Sequence, residues 1–308
     1  MKMEPMRKTI RAVDCANTRR WSNLHKSNLH KSNLYRLARY CASYLLLAAL
    51  AACGSATTEP TSPNLPNPKP PPTATLPAVT TGLAVPDNRT VQEFRVLLLG
   101  NSHVGGNNLA GMLNTILQHG RPRALVATHT GDGSYFLDER LQHNPSLDLL
   151  RNNSWSHVIL QGQKYSMSGM TQYSTSATEY WVALTKNRQA TPILFPEHAR
   201  AGNTEEGPRV YLLHQSIAAK EAACVAPVDL AWQQSLQNWP GIALHLADGN
   251  HANEQGALLT ALLFYQIITG DPADQLAFIP TLPATAQVQQ QLRQQASATL
   301  QQVKACPF

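Results

Sequence analysis

A chain of 308 residues, 43% hydrophobic and 14% charged, has ample material for one large core or two modest ones. Its net charge of +6 is lopsided: residues 1–52 hold ten of the 25 Lys and Arg but two of the 19 Asp and Glu, so the rest of the chain carries 15 basic and 17 acidic residues. The basic excess belongs to the leader, and a nucleic-acid partner, which needs a basic face on the folded part, is not expected.

The leader comes first. Basic residues ending at Arg36 and Arg39 precede an apolar run from Tyr44 to Ala52. That run is far short of the roughly 20 residues that span a bilayer, and it reads as the apolar region of a secretory signal. Leu50-Ala51-Ala52-Cys53 resembles the lipobox of bacterial lipoproteins. The resemblance implies that residues 1–52 are removed and that Cys53 carries lipid. With Gly54 rather than Asp after it, it also implies an anchor in the outer membrane, facing the periplasm or the surface. The repeat SNLHK-SNLHK-SNLY from Ser22 to Tyr35 reads either as an extension of the signal or as sequence upstream of the true start, and no function is attached to it. Residues 53–91 are rich in Pro and Thr with few large apolar residues, the composition of a semi-rigid tether.

A single domain is expected over 92–308. Apolar runs of strand length at 94–99, 124–128, 157–160, 192–195 and 224–228, with a weaker one at 242–246, alternate with helical segments at 108–119, 173–188, 210–222, 229–237, 252–269 and 284–303. Short apolar strands alternating with longer helices predict an α/β fold, a three-layer α/β/α sandwich around a mostly parallel five-stranded sheet. Ligands of such sheets bind off the carboxyl ends of the strands. Of the cysteines, Cys224 and Cys306 fall in this domain. In an oxidising compartment they form either one disulfide, tying the last segment to the sheet, or two separate thiols with Cys224 buried.

Residues with chemistry follow the strands. Gly100-Asn101-Ser102-His103 comes after the first, Gly131-Asp132-Gly133-Ser134 after the second and Gln161-Gly162-Gln163 after the third, while Asp248-Gly249-Asn250-His251 precedes the long helix near the end. This ordered set resembles the SGNH (GDSL-type) hydrolase superfamily. It is closer still to a bacterial branch known as a domain of unknown function, through Gly100-Asn101-Ser102, Leu160-Gln161-Gly162-Gln163 and Ala226-Pro227-Val228 with Ala231-Trp232. The resemblance spans roughly residues 94–270. It implies a serine esterase with Ser102 as nucleophile, His251 as base and Asp248 orienting that base, and an oxyanion hole made by Ser102, Gly133 and Gln163. No cofactor or metal is implied.

The chemistry gives the same assignment a reason. Acyl transfer needs a hydroxyl, a base for its proton, a group that holds the base, and donors aimed at the developing oxyanion. Ser102 opens a turn before a helix, and Asp248 can reach the imidazole of His251 from three residues away. Gly131 competes with Gly133 for the second donor, and Gln163 stands where the superfamily has Asn. His103, Glu197 and His198 are candidates for lining the substrate cleft. His119, His129, His143 and His214 lack ligand spacing, and no GxGxxG, GxxxxGK[ST] or GxSxG run occurs. Two functions are therefore carried forward: an envelope-anchored serine esterase acting on an O-acyl ester, for example acetyl on a carbohydrate, and a binding lipoprotein that keeps the fold without turnover.

Overall fold

The computed structural model describes residues 76–308, so the expected signal segment, its repeat and Cys53 lie outside the described residues. Strands β1 (Glu93–Leu99), β2 (Leu125–Thr130), β3 (His157–Gln161), β4 (Thr191–Phe195) and β5 (Cys224–Val225) form one sheet in the order β2-β1-β3-β4-β5, every pair parallel. Helices α1 (Ser102–Gly105), α2 (Leu109–Gly120), α3 (Leu137–Arg140), α4 (Asn144–Arg151), α5 (Ser176–Asn187), α6 (Glu206–Lys220), α7 (Val228–Asn238), α8 (Glu254–Thr269) and α9 (Ala286–Gln302) fill the connections and the end of the chain.

The side-chain period of two sorts each strand between two cores. Phe94, Val96 and Leu98 of β1 pack with Ile159 and Ile193 against α2, α7, α8 and α9. Leu97 and Leu99 pack with Val158, Leu160 and Leu194 against α3 to α6. Helix α8 is apolar nearly all round, with its residues buried from Gly256 to Tyr265, because α2 and α9 both cover it. Asn253 caps it, its side chain accepting from the N–H of Gln255 and Gly256.

Three features depart from the sequence reading. Residues 242–246 form no strand; they make one antiparallel bridge, His245 to Ala252, at the foot of α8. Helices α3 and α4 are too short to show a clear period in the sequence. The tether expected up to residue 91 is, from residue 76 onward, part of the folded unit. Leu76 and Val79 pack on one core and Val85 and Val91 on the other. The buried Lys186–Glu221 pair binds this segment, Nζ donating to Leu83 O at 2.7 Å and Glu221 Oε2 accepting from Gly82 N–H at 3.0 Å. Prolines leave carbonyls free as acceptors, and Pro77 O and Pro86 O accept from Tyr180 and Thr191 hydroxyls. Composition alone reported extended backbone and could not report its docking.

Cys224 and Cys306 are joined in a disulfide, and the adjacent Val225 N–H donates to Ala305 O at 2.8 Å. The chain end is thereby laid along β5. Among the described residues no helix is long and apolar enough to cross a membrane.

Candidate active site

Site residues gather off the carboxyl end of β1, the inner strand from which the sheet order runs both ways, to β2 on one side and β3 on the other. An open cleft of about 580 Å³ lies there, lined by Asn101 and Ser102 after β1, Gly131 and Gly133 after β2, and His251. The Ser102 hydroxyl donates to His251 Nε2 at 2.8 Å, and His251 Nδ1–H donates to Asp248 Oδ2 at 2.7 Å. The second contact selects the tautomer that leaves Nε2 as the acceptor. Asp248 does two jobs, for its Oδ1 accepts from the N–H of Asn250 at 2.8 Å and of His251 at 3.0 Å, folding the loop that carries the imidazole. These donors, the imidazole first, hold the carboxyl of Asp248 well below the usual carboxylate range. It is not the cap of α8; Asn253 is.

Ser102 does not sit at the head of a long helix, as its position in the sequence suggests. Helix α1 is a single turn, capped by the Asn101 side chain accepting from His103 N–H at 3.1 Å, and Asn107 and Asn108 break the path to α2 with positive φ. The dipole behind Ser102 is therefore small, and its backbone N–H, which has no acceptor among the described residues, is the relevant donor. Gly131 and Gly133 are told apart by their amides. Gly131 N–H extends the sheet by donating to Leu98 O at 2.9 Å, whereas Gly133 N–H has no acceptor among the described residues. Gly133 also has φ +67°, and a Cβ there would strike the Tyr135 ring.

Gln163 is not brought to the cleft. Its amide donates to Lys164 O at 2.8 Å and Ser174 O at 3.1 Å, and its Oε1 accepts from the Thr178 hydroxyl at 2.6 Å. Gly162, at φ +99°, turns the chain between Gln161 and Gln163, so the second glutamine points toward α5 instead. Gln161 is the one beside Ser102: its Oε1 accepts from Asn101 N–H at 2.8 Å and its amide donates to Glu197 at 3.1 Å.

Glu197 is buried beneath Gln161 and does not line the cleft; burial pushes its carboxyl pKa up. His198 stacks on Trp232 with ring centroids 3.5 Å apart and donates from Nε2 to Asn250 O at 3.0 Å, so it props the His251 loop from behind. His103 lies across His251, centroids 5.1 Å apart. With Phe195 and Thr260, His103 and His198 wall a recess of about 10 Å³ behind Ser102, room for about one water-sized group. Asn107, missed in the sequence, lines both cleft and recess and donates to Ala252 O. The run Gly105-Gly106-Asn107-Asn108 carried the signal, being turn-forming residues directly after the candidate nucleophile.

No protein-family model matches the chain, and no curated protein matches it in sequence. Solved structures do. A DUF4886 family protein from Bacteroides uniformis is 14% identical with a TM-score of 0.52, over 68% of this chain and 95% of that one. A candidate SGNH hydrolase from Slackia heliotrinireducens is 23% identical with a TM-score of 0.46, over 56% and 98%, and the psychrotrophic esterase EstA from a Pseudoalteromonas species is 15% identical with a TM-score of 0.40, over 57% and 97%. The chain shares the three-layer α/β/α fold of the DUF4886 family protein.

Two histidines, His103 behind the cleft and the buried His157 at the start of β3, are held neutral at neutral pH. Burial, and next the proximity of His251, lowers His103 to about 4, while burial lowers His157, in β3 beside β1, to about 3. Both lie below the ordinary 6.5, so the unfolded chain takes up their protons first as the pH falls. Their contribution to stability is complete above about pH 6.5 and is lost toward pH 4 and 3, costing on the order of 2 kcal/mol each by pH 5. Buried Glu197 and Asp229, whose carboxyls are raised, pull the other way. The expected result is a melting temperature several degrees lower at pH 5 than at pH 7, at roughly 2–4 °C per kcal/mol, with a smaller drop in His157→Gln. Equal drops in the two proteins would remove His157 from this account.

Proposed function

We propose that the protein is a serine ester hydrolase acting on an O-acyl ester, with acetyl on a carbohydrate as the first substrate class to test, held at the cell envelope by a lipid on Cys53. The observation that carries the reading is the hydrogen-bonded chain from Ser102 through His251 to Asp248 at the edge of an open cleft. As Ser102 Oγ attacks the acyl carbonyl, its proton passes to His251 Nε2 and the carbonyl π electrons move to oxygen. The N–H groups of Ser102 and Gly133 receive that oxyanion. Its collapse breaks the ester bond, and the leaving alcohol takes the proton from His251. Water then attacks the acyl-Ser102 ester with His251 again as base, releasing the carboxylic acid and restoring the hydroxyl. Asp248 stays ionised and stabilises the imidazolium in both halves. The small recess behind Ser102 favours a short acyl group, and the open cleft leaves room for a bulky alcohol.

One observation favours a second reading, a binding protein without turnover: the amide of Gln163 is spent on the protein's own carbonyls, so the hole lacks the third donor that the family resemblance implies. A fluorophosphonate probe separates the two. One label per chain on Ser102, absent in Ser102→Ala, together with hydrolysis of p-nitrophenyl acetate in preference to longer acyl esters, is the result expected of an esterase. Folded protein that takes no label supports the binding reading.

A further inference from the structure

The residues that hold the oxyanion donors in place carry a further inference. The Arg140 side chain has no exposure to solvent, yet no carboxylate lies within 4.0 Å of its guanidinium among the described residues. A buried cation without an ion-pair partner is costly, and hydrogen bonds must compensate it. Here three of the four acceptors are carbonyls of the two loops that make the candidate site, and the fourth is a hydroxyl of α4. Nη1 donates to Asp132 O at 3.1 Å and to the Ser146 hydroxyl at 2.8 Å, and Nη2 donates to Gly100 O at 2.5 Å and to Gly133 O at 3.1 Å.

The peptide bond makes this pattern specific. In a trans peptide the C=O and N–H point in opposite directions. Asp132 O and Gly133 N–H belong to one peptide, so a guanidinium gripping the carbonyl turns the N–H away from itself; that N–H has no acceptor among the described residues, and Gly133 lines the cleft. Gly100 O and Asn101 N–H likewise share a peptide, pinned by Arg140 on one side and by Gln161 Oε1, at 2.8 Å, on the other. The next residue is Ser102. One fork thus fixes the loop after β1 and the loop after β2 relative to each other, as a planar five-donor group can and a single ammonium cannot.

We infer that Arg140 is a positioning residue that presets the N–H groups of Ser102 and Gly133 toward a shared oxyanion, an inference that rests on the esterase reading above. Losing one preset donor costs about 10²–10³ in kcat. Arg140→Lys, which keeps the charge and loses the fork, is expected to lower kcat for p-nitrophenyl acetate about 100-fold, leaving KM within about twofold and the pH–rate profile unmoved. Arg140→Ala is expected to regain part of its kcat when guanidinium chloride is added at millimolar, non-denaturing concentration, which a merely structural role would not produce. Should both variants fail to fold, Ser146→Ala, which takes away one anchor of the fork, is expected to lower kcat about tenfold at unchanged KM.

A wild-type kcat in Arg140→Lys or Ser146→Ala, or a loss confined to KM, overturns the inference while leaving the esterase standing. A wild-type protein that neither hydrolyses the ester nor takes the fluorophosphonate overturns the esterase reading and this inference with it.

Discussion

His251→Ala is expected to lower kcat on a short-chain aryl ester by about a million-fold while the protein stays folded, with its melting temperature within a few degrees of wild type. The size follows from what the imidazole does in the proposed reaction. Ser102 Oγ is a poor nucleophile at neutral pH, and among the described residues its proton has one acceptor, His251 Nε2 at 2.8 Å. Without that acceptor the attack and the departure of the alcohol both lose their proton transfer, and what remains is the stabilisation by the Ser102 and Gly133 amides, about 10³–10⁴ over water. Little stability should go with it. The side chain is one-third exposed, and the contacts that shape its loop, Leu246 N–H to His251 O and His251 N–H to Asp248 Oδ1, are kept by an alanine. Steady-state rates and a thermal melt on one preparation check both halves. Equal rates in wild type and His251→Ala would remove His251 from the chemistry.

The second large effect is on stability. Breaking the disulfide with Cys224→Ala and Cys306→Ala is expected to destabilise the protein by about 4–5 kcal/mol, or about 10–18 °C in melting temperature. The bond closes a span of 82 residues, and the entropy it removes from the unfolded chain grows with that span. Few other ties hold this edge. Strand β5 has two residues, and the chain end rests on it through Val225 N–H to Ala305 O and the packing of Cys306 and Phe308 on the core. Turnover at 25 °C should survive, because β3 and β4 separate β5 from β1. Melting curves of the double variant and of wild type with and without reductant measure it; a shift under 2 °C would mean that the edge is held by packing alone.

Much of the fold was legible along the chain. Strands and long helices declare themselves through periods of two and 3.6, and the expected helix at 252–269 differs from α8 (Glu254–Thr269) by two residues at its start, one of them the cap Asn253. Candidate site residues were legible for a related reason: in a parallel α/β sheet, polar and glycine residues directly after a strand fall at the ligand end. Ser102 and His251, 149 residues apart, could be nominated together on that rule although nothing local connects them.

The failures share a cause. Gln161 and Gln163 look equivalent on paper, but Gly162 at φ +99° sends one under the Ser102 turn and the other to Lys164, Ser174 and Thr178. Glu197 follows a strand as a cleft residue should, yet it is buried beneath Gln161, and Arg140, an unremarked arginine in a short helix, reaches into both site loops. Composition marked residues 76–91 as extended without showing that Lys186 and Glu221 bind them.

The amino-acid sequence by itself determined the order and type of the main elements and the set of residues that could do chemistry, because periodicity, capping and turn preference act over a few neighbouring residues. Only the tertiary structure decided which of those residues share the cleft, which amide N–H groups are left free and what buried charge holds them, because these depend on distances between segments that are remote in sequence.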